Sequence, residues 1–183
     1  MGKSGSVVTL FTDGSAVKGN PGLAAGAYVV VKDGKVLEAL GVPIGTGTNN
    51  QGELTGALTG LVAAIGTHAS KGDTLMVVSD SQYLLAGLQD TASYTGIGRP
   101  NRELWVKLAN ALKDATDKDV TVKCWWVKGH AQNNGNIVCD RLARKAARTQ
   151  QYQTIDESVK SATGNAVPQA GRKGRGGKPV QKG

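Results

Sequence analysis

The sequence predicts an α/β domain: a five-stranded mixed sheet, three antiparallel strands followed by parallel ones, flanked by helices. Two observations carry this reading. Strand and helix patterns run in the order three strands, helix, strand, helices, strand, helix. The second and third strands are joined by Asp33-Gly34, a two-residue hairpin signal, so the sheet must start antiparallel. Later strands are each separated by helical segments, which is how parallel strands are connected.

The elements follow in chain order. Residues 7–13, VVTLFTD, read as a first strand ending at Asp13, and 26–32 and 35–42 as the hairpin pair. Residues 51–66 read as a helix with Leu54, Leu58, Leu61, Val62 and Ile65 on one face. Gly52, Gly56 and Gly60 recur every fourth residue in it, at a cost of about 1 kcal/mol each against Ala. Close approach of this helix to a neighbouring backbone is the expected return. A membrane GxxxG dimer does not fit so short and polar a segment. DTLMVVSD (73–80) is a fourth strand ending at Asp80; 81–89 and 101–115 are helical; 120–129 is a fifth strand; 136–150 is a last helix.

The 183 residues suit one domain, with residues 1–6 as a flexible start, 7–150 as the folded unit and 151–183 as a disordered basic, Gly-rich tail. Net charge is +8, and half of it falls in that tail, where 6 Lys and Arg face 2 acids. Such a balance favours an anionic partner, with nucleic acid first. The longest apolar runs are too short to cross a bilayer, and MGKSGS has no signal-peptide run, so neither membrane nor secretion is expected. Cys124 and Cys139 are too few for a disulfide framework and too far apart for a CxxC metal site. A reducing compartment, the cytoplasm, follows, and a monomer is expected.

Four acids stand where chemistry can use them. Asp13 and Asp80 each end an apolar strand, Glu53 opens a helix and Asp140 lies in the last one. Sites in open α/β sheets form beyond strand ends. Each acid also has a plainer reading: Asp13-Gly14 as a turn, Asp80-Ser81 as a helix cap, Glu53 as a dipole partner, Asp140 as a partner of Arg144. Gly14 and Gly19 have P-loop spacing, but Asn20-Pro21 replace the required Lys and Ser/Thr.

Five segments occur in order: FTDGSAVKGNPG, TNNQGEL, SDSQYL, WWVKGHAQNNGN and CDRLA. Together they resemble type 1 ribonuclease H, over about residues 7–148. The resemblance implies the ribonuclease H-like fold and a metal-dependent endonuclease that cleaves the RNA of RNA–DNA hybrids, leaving 5′-phosphate and 3′-hydroxyl ends. It makes Asp13, Glu53, Asp80 and Asp140 metal ligands, with Asp13 bridging two ions, Asp140 serving the nucleophile side and the other two the second ion. The charges argue for metal independently, since four crowded carboxylates repel unless a cation neutralises them. Oxygen ligands suit two Mg²⁺ ions, with Mn²⁺ as a substitute, rather than zinc.

The resemblance also makes His130, in KGHAQNNGN, a proton shuttle or an aid to product release. It matches Asn20, Asn50 and Gln82 to minor-groove contacts and Thr48 and Asn49 to a DNA-phosphate pocket. TGTNN has a plainer reading too, with Asn49 or Asn50 capping the helix. His68 has no such context and reads as a surface residue. Several family members carry a long Lys- and Trp-rich protrusion; here that region holds only Arg99 before Arg102. Arg141, Arg144, Lys145 and Arg148 form a stripe on the last helix that is either a replacement handle or a solvated face. The tail segment GRKGRGGKP is a second candidate for nucleic-acid contact or a solubilising end. Two other function classes share these features: a non-catalytic hybrid-binding module, and a DNA-processing nuclease of the same fold.

Overall fold

The computed structural model describes residues 5–129, 134–155 and 177–179. One sheet runs in the order β3-β2-β1-β4-β5-β6. β1 (Val7–Val17), β2 (Gly22–Lys32) and β3 (Lys35–Gly47) form an antiparallel meander. β4 (Thr74–Ser79) and β5 (Thr121–Val127) add in parallel beside β1. Between them run α1 (Asn49–Ala63), closed by a π-helical turn at Ala64–His68, then α2 (Gln82–Gln89), the short α3 (Ala92–Thr95) and α4 (Arg102–Asp117). α5 (Asn134–Thr149) follows β5.

The hairpin turn stands as expected, with Asp33 at φ 51° and Gly34 at φ 74° and Lys32 opposite Lys35. The core has two main parts. Val8, Leu10, Leu54, Leu61, Leu75, Val77, Leu84 and Trp105 are buried on the side of α1, α2 and α4. Phe11, Val29, Val78, Val138, Cys139 and Leu142 are buried on the α5 side.

Three differences from the sequence reading matter. The first strand does not end at Asp13. It runs on to Val17, paired with β2 through Asp13↔Ala27 and Gly14↔Gly26, and the chain reverses only beyond it, where Lys18 and Gly19 have φ 60° and 128°. Small residues (Gly14, Ser15, Ala16) fit this extended arm, and the partner strand, not the local Asp-Gly signal, decides its length. β4, however, stops at Ser79, and its last pair with β1 is Phe11↔Val78. Beyond Phe11, one edge of β1 is therefore open among the described residues.

The second difference concerns His68, which is half-buried rather than a free surface group. Its Nε2 lies 2.8 Å from Glu38 Oε2, and Glu38 also accepts a hydrogen bond from the Tyr28 hydroxyl. The third is a sixth strand, β6 (Gly177–Pro179), antiparallel to β5. Past residue 150 the chain also makes a bridge between Gln153 and Gly41, and Ile155 packs on the α5-side core.

The glycine repeat has its explanation in contact distances. The cross-strand pair Gly14↔Gly26 leaves a bare patch on the sheet, and α1 lies on it. A methyl on Gly14 would sit 2.2 Å from Glu53 N, and one on Gly26 2.3 Å from Gly56 N. From the helix side, a methyl on Gly52 would meet the Ala25 carbonyl oxygen at 2.4 Å and one on Gly56 the Ala27 carbonyl oxygen at 2.6 Å. Backbone meets backbone, so nothing can give way. Gly56→Ala is expected to destabilise by about 2–3 kcal/mol or more, despite better helix propensity. Gly66→Ala, in the π-helical turn with nothing within 4 Å, should be neutral or stabilising. Urea unfolding of the two variants checks this, and equal effects would contradict the packing account.

Candidate active site

The site is assembled where β1 has lost its neighbour. Along β1 side chains alternate, and Leu10 packs with the α1-side core while Phe11 packs on the α5 side. Asp13 therefore projects with Phe11 toward α5, beside the open edge. α1, pressed onto the glycine patch, brings Glu53 from its first turn to the same place. Asp80, just past the end of β4, completes the group. Ligand oxygens of Asp13, Glu53 and Asp80 all lie within 4.8 Å of one another. Asp140, from α5, lines the same cavity, together with Asn49, Ser81, Asn136, Arg144 and Arg148.

Asp80 is not the cap of α2. Ser81 is, its side chain accepting from Leu84 N at 3.2 Å, and this leaves the Asp80 carboxylate for the cavity. Trp126 Nε1 donates to the Asp80 carbonyl oxygen at 3.1 Å, fixing its backbone from β5. Gly129 gives its side chain room, because a methyl there would sit 2.5 Å from Asp80 Oδ2.

Asp13 and Glu53 are buried, and the main-chain donor facing Asp13 is Gly14 N–H, at 2.8 Å from Oδ1. Burial, then the negative charge of Asp80, push Asp13 up to about 7, against the Gly14 hydrogen bond. Burial, then the charges of Asp13 and Asp80, hold Glu53 well above the ordinary carboxylate range. Glu53 Oε2 is buried without a hydrogen-bond partner among the described residues. An orphaned buried oxygen beside two more carboxylates is a fit for a hard divalent cation, and the all-oxygen donor set suits Mg²⁺ or Mn²⁺ better than zinc.

The remaining expected residues divide. Asn49 lines the cavity, and its backbone N–H donates to Asn20 Oδ1 at 3.0 Å, tying the β1–β2 turn to the start of α1. Thr48, not Asn49 or Asn50, caps α1, in a capping box with Gln51. Asn50 and Gln82 are exposed at the starts of α1 and α2. His130 lies outside the described residues. Sequence reasoning missed Asn136, which is buried one turn before Asp140 and lines the cavity. Its spacing of four from Asp140 was the available signal. The expected pairing of Asp140 with Arg144 is present, Arg144 Nε donating to Asp140 Oδ1 at 2.7 Å, and Asp140 lines the cavity as well.

The RNase H family model matches residues 5–148. The chain is 34% identical to Ribonuclease H of Treponema pallidum subsp. pallidum over 172 residues, covering 82% of this chain and 96% of the relative. In structure it is similar to the N-terminal RNase H domain of rv2228c from Mycobacterium tuberculosis, with TM-score 0.62, 27% identity and coverage of 79% and 95%. It shares its fold with LC11-RNase H1, solved in complex with RNA/DNA hybrid, at TM-score 0.58 and 22% identity, with coverage of 78% and 98%. Fold, acidic centre and relatives together define a nuclease, a hydrolase of phosphodiester bonds. The chain belongs to the RNase H family, whose members named Ribonuclease H are endoribonucleases.

The raised acids have a consequence for stability. Both favour their neutral form in the folded state, so their contribution is full below about pH 4 and is lost as pH rises, through about 7 for Asp13. Glu38 and Asp73 are held below their ordinary values, so their opposite effect falls at lower pH. Chelator-treated protein should therefore lose stability between about pH 5 and pH 8, on the order of a few kcal/mol. Asp13→Asn should flatten that slope and melt above wild type near pH 8. Thermal unfolding across pH measures both; a wild-type slope unchanged by Asp13→Asn would contradict the assignment.

Proposed function

We propose that this protein hydrolyses the RNA strand of RNA–DNA hybrids, holding two Mg²⁺ ions, or Mn²⁺ in their place, on Asp13, Glu53, Asp80 and Asp140. The observation that carries the reading is the convergence of three buried or half-buried carboxylates, one with an orphaned oxygen, in an RNase H family chain. Asp13 would be shared between the two ions, Asp140 would serve the nucleophile side, and Glu53 and Asp80 would serve the other. When bound, the cations supply Lewis-acid activation of the phosphodiester and of the attacking water.

The chain's own groups do the rest. The open edge of β1 admits the cleaved strand to the carboxylates, while Trp126 fixes the Asp80 backbone and Gly129 leaves room for its side chain. His130, ten residues before Asp140, carries a proton at near-neutral pH or eases product release. Asn20, Asn50 and Gln82 read the hybrid's minor groove, where amides can pair with the 2′-hydroxyl that marks RNA. Thr48 and Asn49 hold a phosphate of the DNA strand. The hybrid in the LC11-RNase H1 structure favours this choice of substrate. The two cysteines, both free, favour the cytoplasm, and a monomer is the expected state.

Purified protein offered labelled RNA–DNA hybrid, double-stranded RNA and double-stranded DNA should cleave only the hybrid's RNA, with Mg²⁺ and not with EDTA. Asp13→Asn should reduce the rate roughly a thousandfold or more, equivalent to about 4 kcal/mol. Retained hybrid binding without cleavage would favour a binding module, and DNA cleavage a DNA-processing nuclease.

The basic tail is read as a non-specific contact to the hybrid's phosphates, in place of the missing protrusion. Truncation after Ile155, which keeps the Gln153 bridge and the Ile155 packing, should weaken hybrid binding most at low salt and reduce the salt slope. An unchanged slope in a filter-binding titration would remove the tail from the interface.

A further inference from the structure

Asp140 stands apart from the other three acids. Among the described residues, the close cluster is Asp13, Glu53 and Asp80. Asp140 lines the same cavity, but its Oδ1 is taken by Arg144 Nε at 2.7 Å. The pair lies on α5 with side chains 27% and 46% exposed, and ion pairs that open to water are weak. A divalent cation bound by the other three carboxylates competes with the guanidinium for this one. It repels Arg144 as well, since both are positive. One helical turn further, Arg148 lines the same cavity, with no hydrogen-bond or ion-pair partner among the described residues. Gly14, Ser15, Ala16 and Val17 of β1 form the facing wall. The cavity is thus a trough, acidic at the Asp13 end and basic at the Arg148 end. Arginines four apart on a helix share a face, where both forks can reach one phosphate.

We infer that Arg144 is a positioning residue that exchanges partners: it holds Asp140 until a divalent cation claims that carboxylate, and then joins Arg148 on a phosphate of the polynucleotide. This rests on the reading of Asp140 as a cation ligand. It gives two of the four residues of the basic stripe a defined task. It also couples the two ligands. Cation binding frees the phosphate grip, and a phosphate that occupies Arg144 frees Asp140, so each ligand strengthens the other.

The test is calorimetric titration of Mn²⁺ into the full chain without nucleic acid, for wild type, Arg144→Ala, Asp140→Asn and the double variant. Arg144→Ala should bind Mn²⁺ about two- to fivefold tighter than wild type, the scale of a lost exposed ion pair. In the Asp140→Asn background the same change should have little effect. With saturating Mn²⁺ and hybrid substrate, Arg144→Ala should raise KM more than it lowers kcat, and Arg144→Lys should recover part of the KM. Equal or weaker Mn²⁺ binding by Arg144→Ala overturns the exchange, as does a gain that persists without Asp140. An unchanged KM overturns the phosphate grip. If Asp140→Asn binds Mn²⁺ as well as wild type, the ligand reading of Asp140 fails and the exchange with it. Hybrid cleavage by wild type, abolished by Asp13→Asn, would then still stand as a separate result.

Discussion

The contact on which the molecule turns is backbone against backbone, where α1 lies on the bare Gly14↔Gly26 patch of the sheet. No side chain larger than hydrogen fits at Gly14, Gly26, Gly52 or Gly56, where added methyls would come within 2.2–2.6 Å of main-chain atoms. Helix propensity alone would reject glycines at those positions of α1. They are tolerated because a helix held at ordinary distance would carry Glu53 away from Asp13. The helix is buried there for the sake of its first turn.

That closeness has an electrostatic cost. Asp13, Glu53 and Asp80 come together in a place where Asp13 and Glu53 are removed from water, and both are driven toward their neutral forms. Glu53 keeps an oxygen with no partner among the described residues. The fold tolerates this because it is otherwise well packed, with α1, α4 and α2 on one face and α5 on the other. A site that is destabilising when empty of charge compensation and stabilised by a cation is one whose stability and activity respond to the same ligand. The arginines of α5 complete the arrangement, one already on Asp140 and the next at the far end of the trough.

Much of this was legible in the residues. The five main strands, their order and the Asp33-Gly34 hairpin follow from local patterns, which the structure keeps. The four-residue glycine period announced a close approach without saying to what. Asp13 misled, because Asp-Gly is a turn signal and only the facing strand reveals that β1 continues through it. The cap of α2 was one residue out: Asp80 and Ser81 are both good caps, and tertiary demand on Asp80 decides between them. His68 was read as surface because its partner Glu38 is thirty residues away, on β3. The trough's basic end was visible as a stripe on the last helix, but its neighbourhood to the acids depends on how α5 crosses β1, which no local pattern encodes.

The central claim is that burial, and then the charge of the neighbouring acids, push Asp13 and Glu53 toward their neutral forms, and that a cation displaces those protons. Its most direct measurement is proton release on cation binding, obtained by titrating Mn²⁺ calorimetrically in two buffers of different ionisation enthalpy. Near pH 6, below the value of about 7 set by burial and by Asp80, binding should expel roughly one proton or more per protein, and fewer near pH 8. Binding with no proton release at either pH, or release that persists in Asp13→Asn at the wild-type level, would contradict the account.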